Sequence, residues 1–546
     1  MRFSPRLLPL ILLLAGLTTL AWWWPNRPMA GDVPMPAARF NSVSFAPFRA
    51  WQSPLTDTFP TAAEAEADMA LVAGGTRAIR SYASIEGDYD TAAMAQRHGL
   101  KMWLGIWLGT DRVRNAEEMA KGIAIANKYP DTVERVVVGN EVLLRRDLPP
   151  EELISDIDHV KASVKQQVTY ADVWEFWQQY PEVAAHVDVV TIHILPYWED
   201  DPTGIDGAMA HIRTIYRQMA ALFPGKPIAI GETGWPSRGR WRKDAAPSRV
   251  NQAVFLRRFI ALAAAEEFDY NLIEAFDQVW KYKSEGTVGA NWGLWTADRA
   301  QKFPLSGPLS EDPDWPSHAA MTIALGLVLL TGAVFFGPRL TPRAQAGMAV
   351  LTAALGLALA YAWAETIPDL YDIHLKIAAT ANLAGQALLA ILLTARAGRL
   401  LAGLPVPPPR TGLQATETVR GLFRLRLPGG RAWVFDDLTF LFLWTAAVMQ
   451  ALLVFDPRYR DFPLPVFAVP FVAVLARALL SDLPRAGGGW EEALAGGALA
   501  AGAIIGAIME GPLNLPSLAW SAMALVLAGP PLLRLLPRRR AVAAPA

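Results

Sequence analysis

The sequence predicts an α/β fold: a (β/α)8 TIM barrel, preceded by one transmembrane helix and followed by an all-α polytopic membrane domain. Three observations predict it. Short β-rich runs alternate with helical stretches through the first half of the chain, an apolar segment opens it, and apolar residues dominate its second half. We therefore expect a signal anchor at 1–30, a barrel at 40–305, a linker at 306–317 and a membrane domain at 318–537.

Composition excludes several classes of protein. Of the 546 residues, 52% are hydrophobic and 18% are charged, which is more apolar than a soluble protein and indicates membrane segments. The net charge of -1 indicates no nucleic-acid partner. Because the chain has no cysteine, it has no disulfide, no zinc-thiolate centre and no thiol nucleophile.

The first apolar segment, RLLPLILLLAGLTTLAWWW, runs from Arg6 to Trp24. The Trp-rich end and the following PNRP lack the small-x-small pattern of a cleavage site and are typical of an aromatic belt at a membrane interface. We interpret the segment as an uncleaved signal anchor with a cytoplasmic N-terminus, in preference to a signal peptide.

Seven further apolar stretches follow in the second half of the chain. Each approaches the roughly 20 residues that cross a bilayer, although Pro or Gly interrupts the last three. They lie near 318–337, 345–364, 373–394, 434–455, 463–480, 491–509 and 515–536.

Every second loop between these stretches is basic. The arginines follow the first, the third and the last stretch, whereas the alternate loops ETIPDLYD, DPRYRDF and EGPLNLP are short and mostly acidic or neutral. They are Arg339, Arg343, Arg396, Arg399, Arg410, Arg420, Arg424, Arg426, Arg431, Arg538, Arg539 and Arg540. The positive-inside rule places these loops in the cytoplasm and residues 25–317 outside it. We therefore expect a multi-pass protein of a bacterial inner membrane whose barrel lies in the periplasm.

Eight β-rich runs define the barrel, with helical stretches such as AAEAEADMALVAGG between them. The runs are 42–48, 77–83, 101–109, 133–141, 167–173, 187–197, 226–235 and 272–280. In such barrels the chemistry lies at the carboxyl ends of the strands.

Two glutamates occupy such ends. The fourth run, VERVVVGNE, ends in Asn140 and Glu141, and the seventh, KPIAIGETGW, carries Glu232. Strands four and seven lie on opposite sides of a barrel mouth, so the two carboxylates face each other, as hydrolysis of a glycosidic bond requires. A single strand-end glutamate is more often a surface or salt-bridged residue, but two such motifs together are much less expected by chance.

Aromatic residues surround the same ends and suit a glycan groove, because aromatic faces stack on sugar rings. Individually each is more often a core residue, and Trp103 and Trp107 could pack between barrel and helices. No metal-binding pattern and no phosphate loop is found, so we expect neither a metal nor a cofactor.

The motifs VVVGNE, IAIGETGWPSRG, LIEAFDQVWK and GANWGLW resemble those of glycoside hydrolase family 17, the β-1,3-glucanases and related glucosyltransferases, over about residues 40–303. The resemblance implies that Glu232 is the nucleophile, that Glu141 is the general acid/base with a pKa above that of Glu232, and that Asn140 holds the sugar 2-hydroxyl. The membrane half looks like that of bacterial membrane-bound members of the family.

The resemblance departs at the sixth strand, where an Asn-x-Tyr-Pro-Tyr pattern of the plant enzymes is replaced by His193-Ile-Leu-Pro-Tyr197. The side chain that orients Glu232 is then either His193 or Tyr197. The expected substrate-binding residues are Asn140, Tyr82, His193, Tyr197, Trp235, Phe276, Trp280 and Lys281.

Three functions remain open. Transfer of glucan to an acceptor, in elongation, branching or cyclisation, is favoured over plain hydrolysis because a tethered enzyme stays beside nascent polymer. The third alternative is a non-catalytic glucan-binding or export subunit. Expected partners are a β-glucan polysaccharide or oligosaccharide and the lipid bilayer, with a membrane glucan synthase as a further candidate.

Overall fold

The computed structural model describes residues 7–31, 39–409, 421, 434–483 and 489–535. Internal contacts divide the chain into two compact units. One is Pro28–Ser310, and the other combines Met1–Arg27 with Glu311–Ala546. The second half of the chain thus belongs to the same unit as the N-terminal helix.

Unit Pro28–Ser310 is a closed barrel of eight parallel strands, in which each strand pairs with its neighbour in the chain and β8 pairs with β1. The strands are β1 Phe40–Ser44, β2 Thr76–Arg80, β3 Lys101–Ile106, β4 Val133–Asn140, β5 Gln167–Val173, β6 Val189–His193, β7 Ile228–Thr233 and β8 Asp269–Leu272. The predicted fold class is confirmed.

Helices alternate with these strands. After α1, Leu8–Asn26, which belongs to the other unit, they are α2 Ala62–Ala73, α3 Thr91–Arg97, α4 Arg112–Lys128, α5 Val142–Arg145, α6 Pro150–Ser163, α7 Trp174–Gln179, α8 Ala208–Leu222, α9 Arg249–Glu266 and α10 Tyr282–Gly289. Local sequence fixes several starts. Thr61 and Glu64 form a capping box at α2, and Asp111 accepts the amides of Val113 and Arg114 at α4.

Strand β4 shows why the runs are continuously apolar. Parallel strands under a layer of helices are buried on both faces. Val136 and Val138 belong to the large core between barrel and helices, whereas Val137 packs in a separate cluster inside the barrel, with Trp103, Ala171, Val189 and Ala229. Alternate residues of one strand therefore reach two different cores.

The eighth strand lies earlier than the predicted run 272–280. It ends at Leu272, and the residues that follow leave the regular ladder: the Ala275 amide still donates to the Ser44 carbonyl of β1 at 2.9 Å, but Glu274 and Asp277 turn into buried ion pairs with lysines. The apolar pattern of LIEAF predicts a strand here. In the structure, the residues after Leu272 instead form the irregular edge of the barrel mouth.

The other unit is helical. Its helices are α1 together with α11 Trp315–Phe336, α12 Pro342–Thr366, α13 Ile373–Leu401, α14 Val434–Phe455, α15 Ala468–Leu479, α16 Trp490–Glu510 and α17 Leu515–Leu533. Seven helices of the described chain are long and apolar enough to cross a membrane. Within this unit α1 packs on α11, where the Trp22 indole donates to Thr322 at 2.9 Å.

The predicted span 463–480 forms a shorter apolar helix, Pro465–Leu479, which begins as a 3-10 turn. Gln386 of α13 clamps this start: its amide nitrogen donates to the Pro465 carbonyl, and its oxygen accepts from the Val469 amide, both at 3.0 Å. A buried glutamine thus satisfies backbone groups that a longer helix would pair internally.

Several of the arginines behind the topology prediction lie outside the described residues. They are Arg410, Arg420, Arg424, Arg426, Arg431, Arg538, Arg539 and Arg540.

Candidate active site

Three side chains converge at the mouth of the barrel. Glu141 follows β4, Glu232 lies in β7, and His193 ends β6 between them. His193 Nδ1 lies 3.0 Å from a Glu141 oxygen, and its Nε2 lies 3.7 Å from a Glu232 oxygen. One oxygen of each carboxylate and a ring nitrogen all lie within 4.8 Å of one another. Carboxyl groups this close are typical of retaining glycosidases, whereas inverting enzymes hold them about 6.5–9.5 Å apart.

The backbone turns sharply to present Glu141. Gly139 has φ of +83° and Glu141 has φ of +52°, and this left-handed region is uncommon for residues other than glycine. A Cβ at Gly139 would meet the Val142 side chain at 2.8 Å, so this position has both a conformational and a steric need for glycine. The Glu141 amide donates to the Ala171 carbonyl at 2.8 Å, which fixes the turn against β5.

Arg80, the last residue of β2, ties the two motifs together. Its Nη1 donates to the Gly231 carbonyl at 2.7 Å and to Glu232 at 3.2 Å, and its Nη2 donates to Asn140 Oδ1 at 2.5 Å. The guanidinium is buried, and these groups supply partners for Nη1 and Nη2, whereas Nε has no hydrogen-bond partner among the described residues. Sequence reasoning missed Arg80, although a charged residue in the run RAIRSYA was the available signal.

The pKa of Glu141 corrects one expectation. Burial raises it, but the hydrogen bond with His193 and the positive charges of His193, Arg145 and Arg80 outweigh burial and hold the pKa below the ordinary value. The higher pKa was expected from the neighbouring negative charge and from partial burial, but the fold places His193, Arg145 and Arg80 beside Glu141.

Three of the expected substrate-binding residues lie at the mouth with part of their surface exposed. Tyr82 donates its hydroxyl to Ser44 at 3.0 Å, and the Trp280 indole donates to Gln278 at 2.8 Å. Lys281 donates to both oxygens of buried Glu274 at 3.0 Å, which leaves its ammonium held inside the wall of the mouth.

Tyr197, Trp235 and Phe276 are placed differently from the prediction. All three are fully buried, so they present no face to a sugar. The Tyr197 hydroxyl donates to the Arg240 carbonyl at 2.6 Å, the Trp235 indole donates to the Ala246 carbonyl at 2.9 Å, and Phe276 packs on other aromatic rings. A strand-end position does not fix side-chain direction, and these rings stiffen the loops behind the mouth.

Glu141, His193 and Glu232 also satisfy the geometry of a three-ligand metal site. His193 points a different nitrogen at each carboxylate: Nδ1 forms a hydrogen bond with Glu141, whereas Nε2 lies 3.7 Å from Glu232, and this divergence suits one common ion poorly. The chemistry of the set is therefore that of an acid/base pair, and the absence of a metal stays a prediction.

Comparison with known proteins follows the same division of the chain. Residues 42–293 match the model of the BtgE/BtgC glycoside hydrolase domain. A glucan 1,3-beta-glucosidase of Candida albicans is 28% identical over 265 residues, which are 44% of this chain and 85% of the relative. One from Saccharomyces cerevisiae is 24% identical over 271 residues, 45% of this chain and 86% of the relative.

Among solved structures, the glycoside hydrolase family 17 β-1,3-glucanosyltransferase of Rhizomucor miehei is 26% identical, with a TM-score of 0.44, over 49% of this chain and 98% of that one. The barrel thus defines an enzyme of the glycoside hydrolase class. The match of residues 42–293 to the BtgE/BtgC glycoside hydrolase domain, together with the glucan 1,3-beta-glucosidases, confirms the predicted resemblance to β-1,3-glucan-active glycoside hydrolases.

We expect His193→Asn to move the basic limb of the pH–activity profile to higher pH. The substitution removes the largest of the influences that lower the pKa of Glu141, so a Glu141 that must be protonated stays protonated to higher pH. The limb is measured as kcat/KM for a soluble β-1,3-glucan. His98→Asn, which removes another histidine–glutamate pair outside the site, serves as the control. A limb that stays in place, or moves to lower pH, would contradict the assignment.

Proposed function

We propose that the chain is a membrane-anchored, retaining β-1,3-glucan-active enzyme that works by double displacement and transfers glucan to an acceptor. The closeness of the two carboxylates on either side of His193, with Arg80 paired to Glu232, carries this proposal. The β-1,3-glucan specificity is taken from the names of the curated relatives.

In the first displacement Glu232 acts as the nucleophile. Its carboxylate forms a bond to the anomeric carbon as the glycosidic bond breaks, and Glu141, in the fraction of the enzyme in which it is protonated, gives its proton to the departing oxygen. Arg80 holds a Glu232 oxygen and Asn140 in fixed positions, so Glu232 meets the substrate already oriented. Asn140 is placed by the same guanidinium to hold the sugar 2-hydroxyl.

The second displacement decides the product. Glu141, now ionised, takes the proton of water or of a sugar hydroxyl, the freed oxygen attacks the anomeric carbon, and the bond to Glu232 breaks. His193 favours this ionised form of Glu141, because its contact helps to hold the pKa of that carboxyl below its usual range. Both acceptors leave the configuration retained, so the carboxylates do not select between them.

Attachment to a membrane favours a sugar acceptor. The apolar helices of the second unit would keep the barrel beside polymer that emerges from the bilayer, where acceptor ends are concentrated. Elongation, branching and cyclisation of a β-1,3/β-1,6-glucan are the candidate outcomes, and a membrane glucan synthase is a candidate partner. Plain endo- or exo-hydrolysis is the alternative.

A non-catalytic glucan-binding or export role is less well supported. Several buried polar side chains of the helical unit satisfy one another: Arg396 pairs with Asp482 at 2.5 Å, and Arg477 pairs with Asp436 at 3.0 Å. Paired charges near helix ends stabilise the bundle and do not line a path for a polar polymer.

Laminaripentaose separates transfer from hydrolysis. We expect the full chain in detergent to give products both shorter and longer than the substrate, and Glu232→Ala to reduce both by at least about 10³-fold, because a double displacement cannot proceed without its nucleophile. Mass spectrometry measures the amounts of the shorter and of the longer products. Asp158→Ala, which alters an exposed carboxylate on α6, is the control. Only shorter products would refute transfer, and an active Glu232→Ala variant would refute the site.

The orientation of the barrel can be tested by labelling. The natural chain lacks cysteine, so a single introduced thiol is unambiguous. We expect a membrane-impermeant maleimide to label Thr56→Cys, exposed in the barrel unit, in intact spheroplasts, and to label Leu404→Cys, exposed after α13, only after permeabilisation. The reverse pattern would contradict the proposed periplasmic location in a bacterial inner membrane.

A further inference from the structure

Trp107 lies beside the strand end that carries Glu141. In β3 and β4, Trp103 pairs with Arg135 and Gly105 pairs with Val137, and both Trp103 and Val137 belong to the cluster inside the barrel. Alternate residues of a strand share a face, and Trp107 comes directly after β3, where this alternation would continue the inward face towards the turn at Gly139. The indole therefore lies on the rim next to Glu141.

Arg145 holds this ring in place. Its guanidinium carbon lies 4.3 Å from the centroid of Trp107, a distance typical of a cation–π contact. The same guanidinium donates to the Leu108 carbonyl at 3.0 Å, to Asp147 at 2.7 Å and to the Asn140 carbonyl. One side chain thus fixes the indole to the backbone of the catalytic turn.

The ring nevertheless keeps an open surface. Trp107 is 37% exposed, whereas Tyr197, Trp235 and Phe276 are fully buried. Arg145 occupies one side of the indole, so an accessible part remains for another partner. A rigid aromatic surface that is open on one side suits the apolar face of a pyranose ring.

We propose that Trp107, held in place by Arg145, is the stacking platform for the sugar ring on the far side of the scissile bond. This sugar is the leaving unit in the first displacement and the acceptor in the second. This inference rests on the proposed function. The order of the strands supports placing this sugar ring on the Glu141 side of the site. β3 adjoins β4, which leads to Glu141, and lies four strands from β7, which carries Glu232. The ring bonded to the oxygen that Glu141 protonates is therefore the one within reach of Trp107.

The platform would favour sugar over water as acceptor. Water gains nothing from an aromatic face, whereas a stacked sugar is held with its hydroxyl beside Glu141. Occupancy of the platform thus raises the share of transfer without changing the reaction between donor and Glu232.

A donor with a small leaving group isolates this role. β-Laminaribiosyl fluoride forms the glucosyl-enzyme by releasing fluoride, which needs no sugar on the platform, and added laminaribiose then competes with water. We expect Trp107→Leu, which keeps an apolar side chain but loses the flat face, to raise the laminaribiose concentration for half-maximal transfer by about tenfold. Fluoride release without acceptor should stay within about twofold of the natural protein, since no stacked sugar takes part in it.

Two further variants complete the test. Trp107→Tyr, which keeps an aromatic face, should restore most of the transfer, and Leu222→Ala, which alters an exposed apolar side chain at the end of α8, on the face of the barrel opposite the mouth, should behave as the natural protein. Unchanged acceptor dependence in Trp107→Leu, or an equal loss of fluoride release and transfer, would overturn the platform. If the natural protein released no fluoride, the proposed function would fail instead, and the two failures are therefore distinguishable.

Discussion

The buried guanidinium of Arg80 is the interaction on which the rest of the site depends. It reaches from β2 across the barrel to the Gly231 carbonyl and Glu232 in β7, and to the Asn140 side chain at the end of β4. A buried charge needs polar partners, and these contacts join strands that are not neighbours in the barrel. One cation thus holds Glu232 and the side chain of the residue before Glu141 in fixed positions.

His193, which lies between Glu141 and Glu232, is a second link across the site. Its ring nitrogens lie 3.0 Å from a Glu141 oxygen and 3.7 Å from a Glu232 oxygen. The contact helps to set the pKa of Glu141 below its usual range and favours the ionised form. An ionised Glu141 is the form that must accept a proton in the second displacement, which is the step at which an acceptor is chosen.

The sequence predicted the scaffold well because its signals were local and repeated. Eight β-rich runs with helices between them define a barrel, and the glutamate motifs after the fourth and seventh runs place two carboxylates at one mouth. It misplaced β8, because the apolar letters of LIEAF do not show that Glu274 and Asp277 leave the ladder for lysines. It also predicted a full membrane span at 463–480. The hydrogen bonds between Gln386 of α13 and this segment join distant parts of the chain, so local sequence does not show them.

The composition of the mouth was harder to predict than its position. Tyr197, Trp235 and Phe276 come near strand ends, where the aromatic residues of a glycan groove are expected. Tertiary packing nevertheless buries all three side chains. Arg80 was overlooked because its partners lie at least 60 residues away along the chain, and the lowered pKa of Glu141 depends on cations that only the fold brings near. Strand register located the residues, but packing decided which of them face a ligand.

Trapping of the glucosyl-enzyme tests the central claim most directly. A 2-deoxy-2-fluoro-β-laminaribiosyl fluoride reacts with a retaining nucleophile and slows release of the sugar. Mass spectrometry of the intact chain and of its peptides should show one added fluorinated disaccharide unit on the peptide that contains Glu232, and no such adduct in Glu232→Gln. An adduct on another residue, or inverted products without any adduct, would contradict the account.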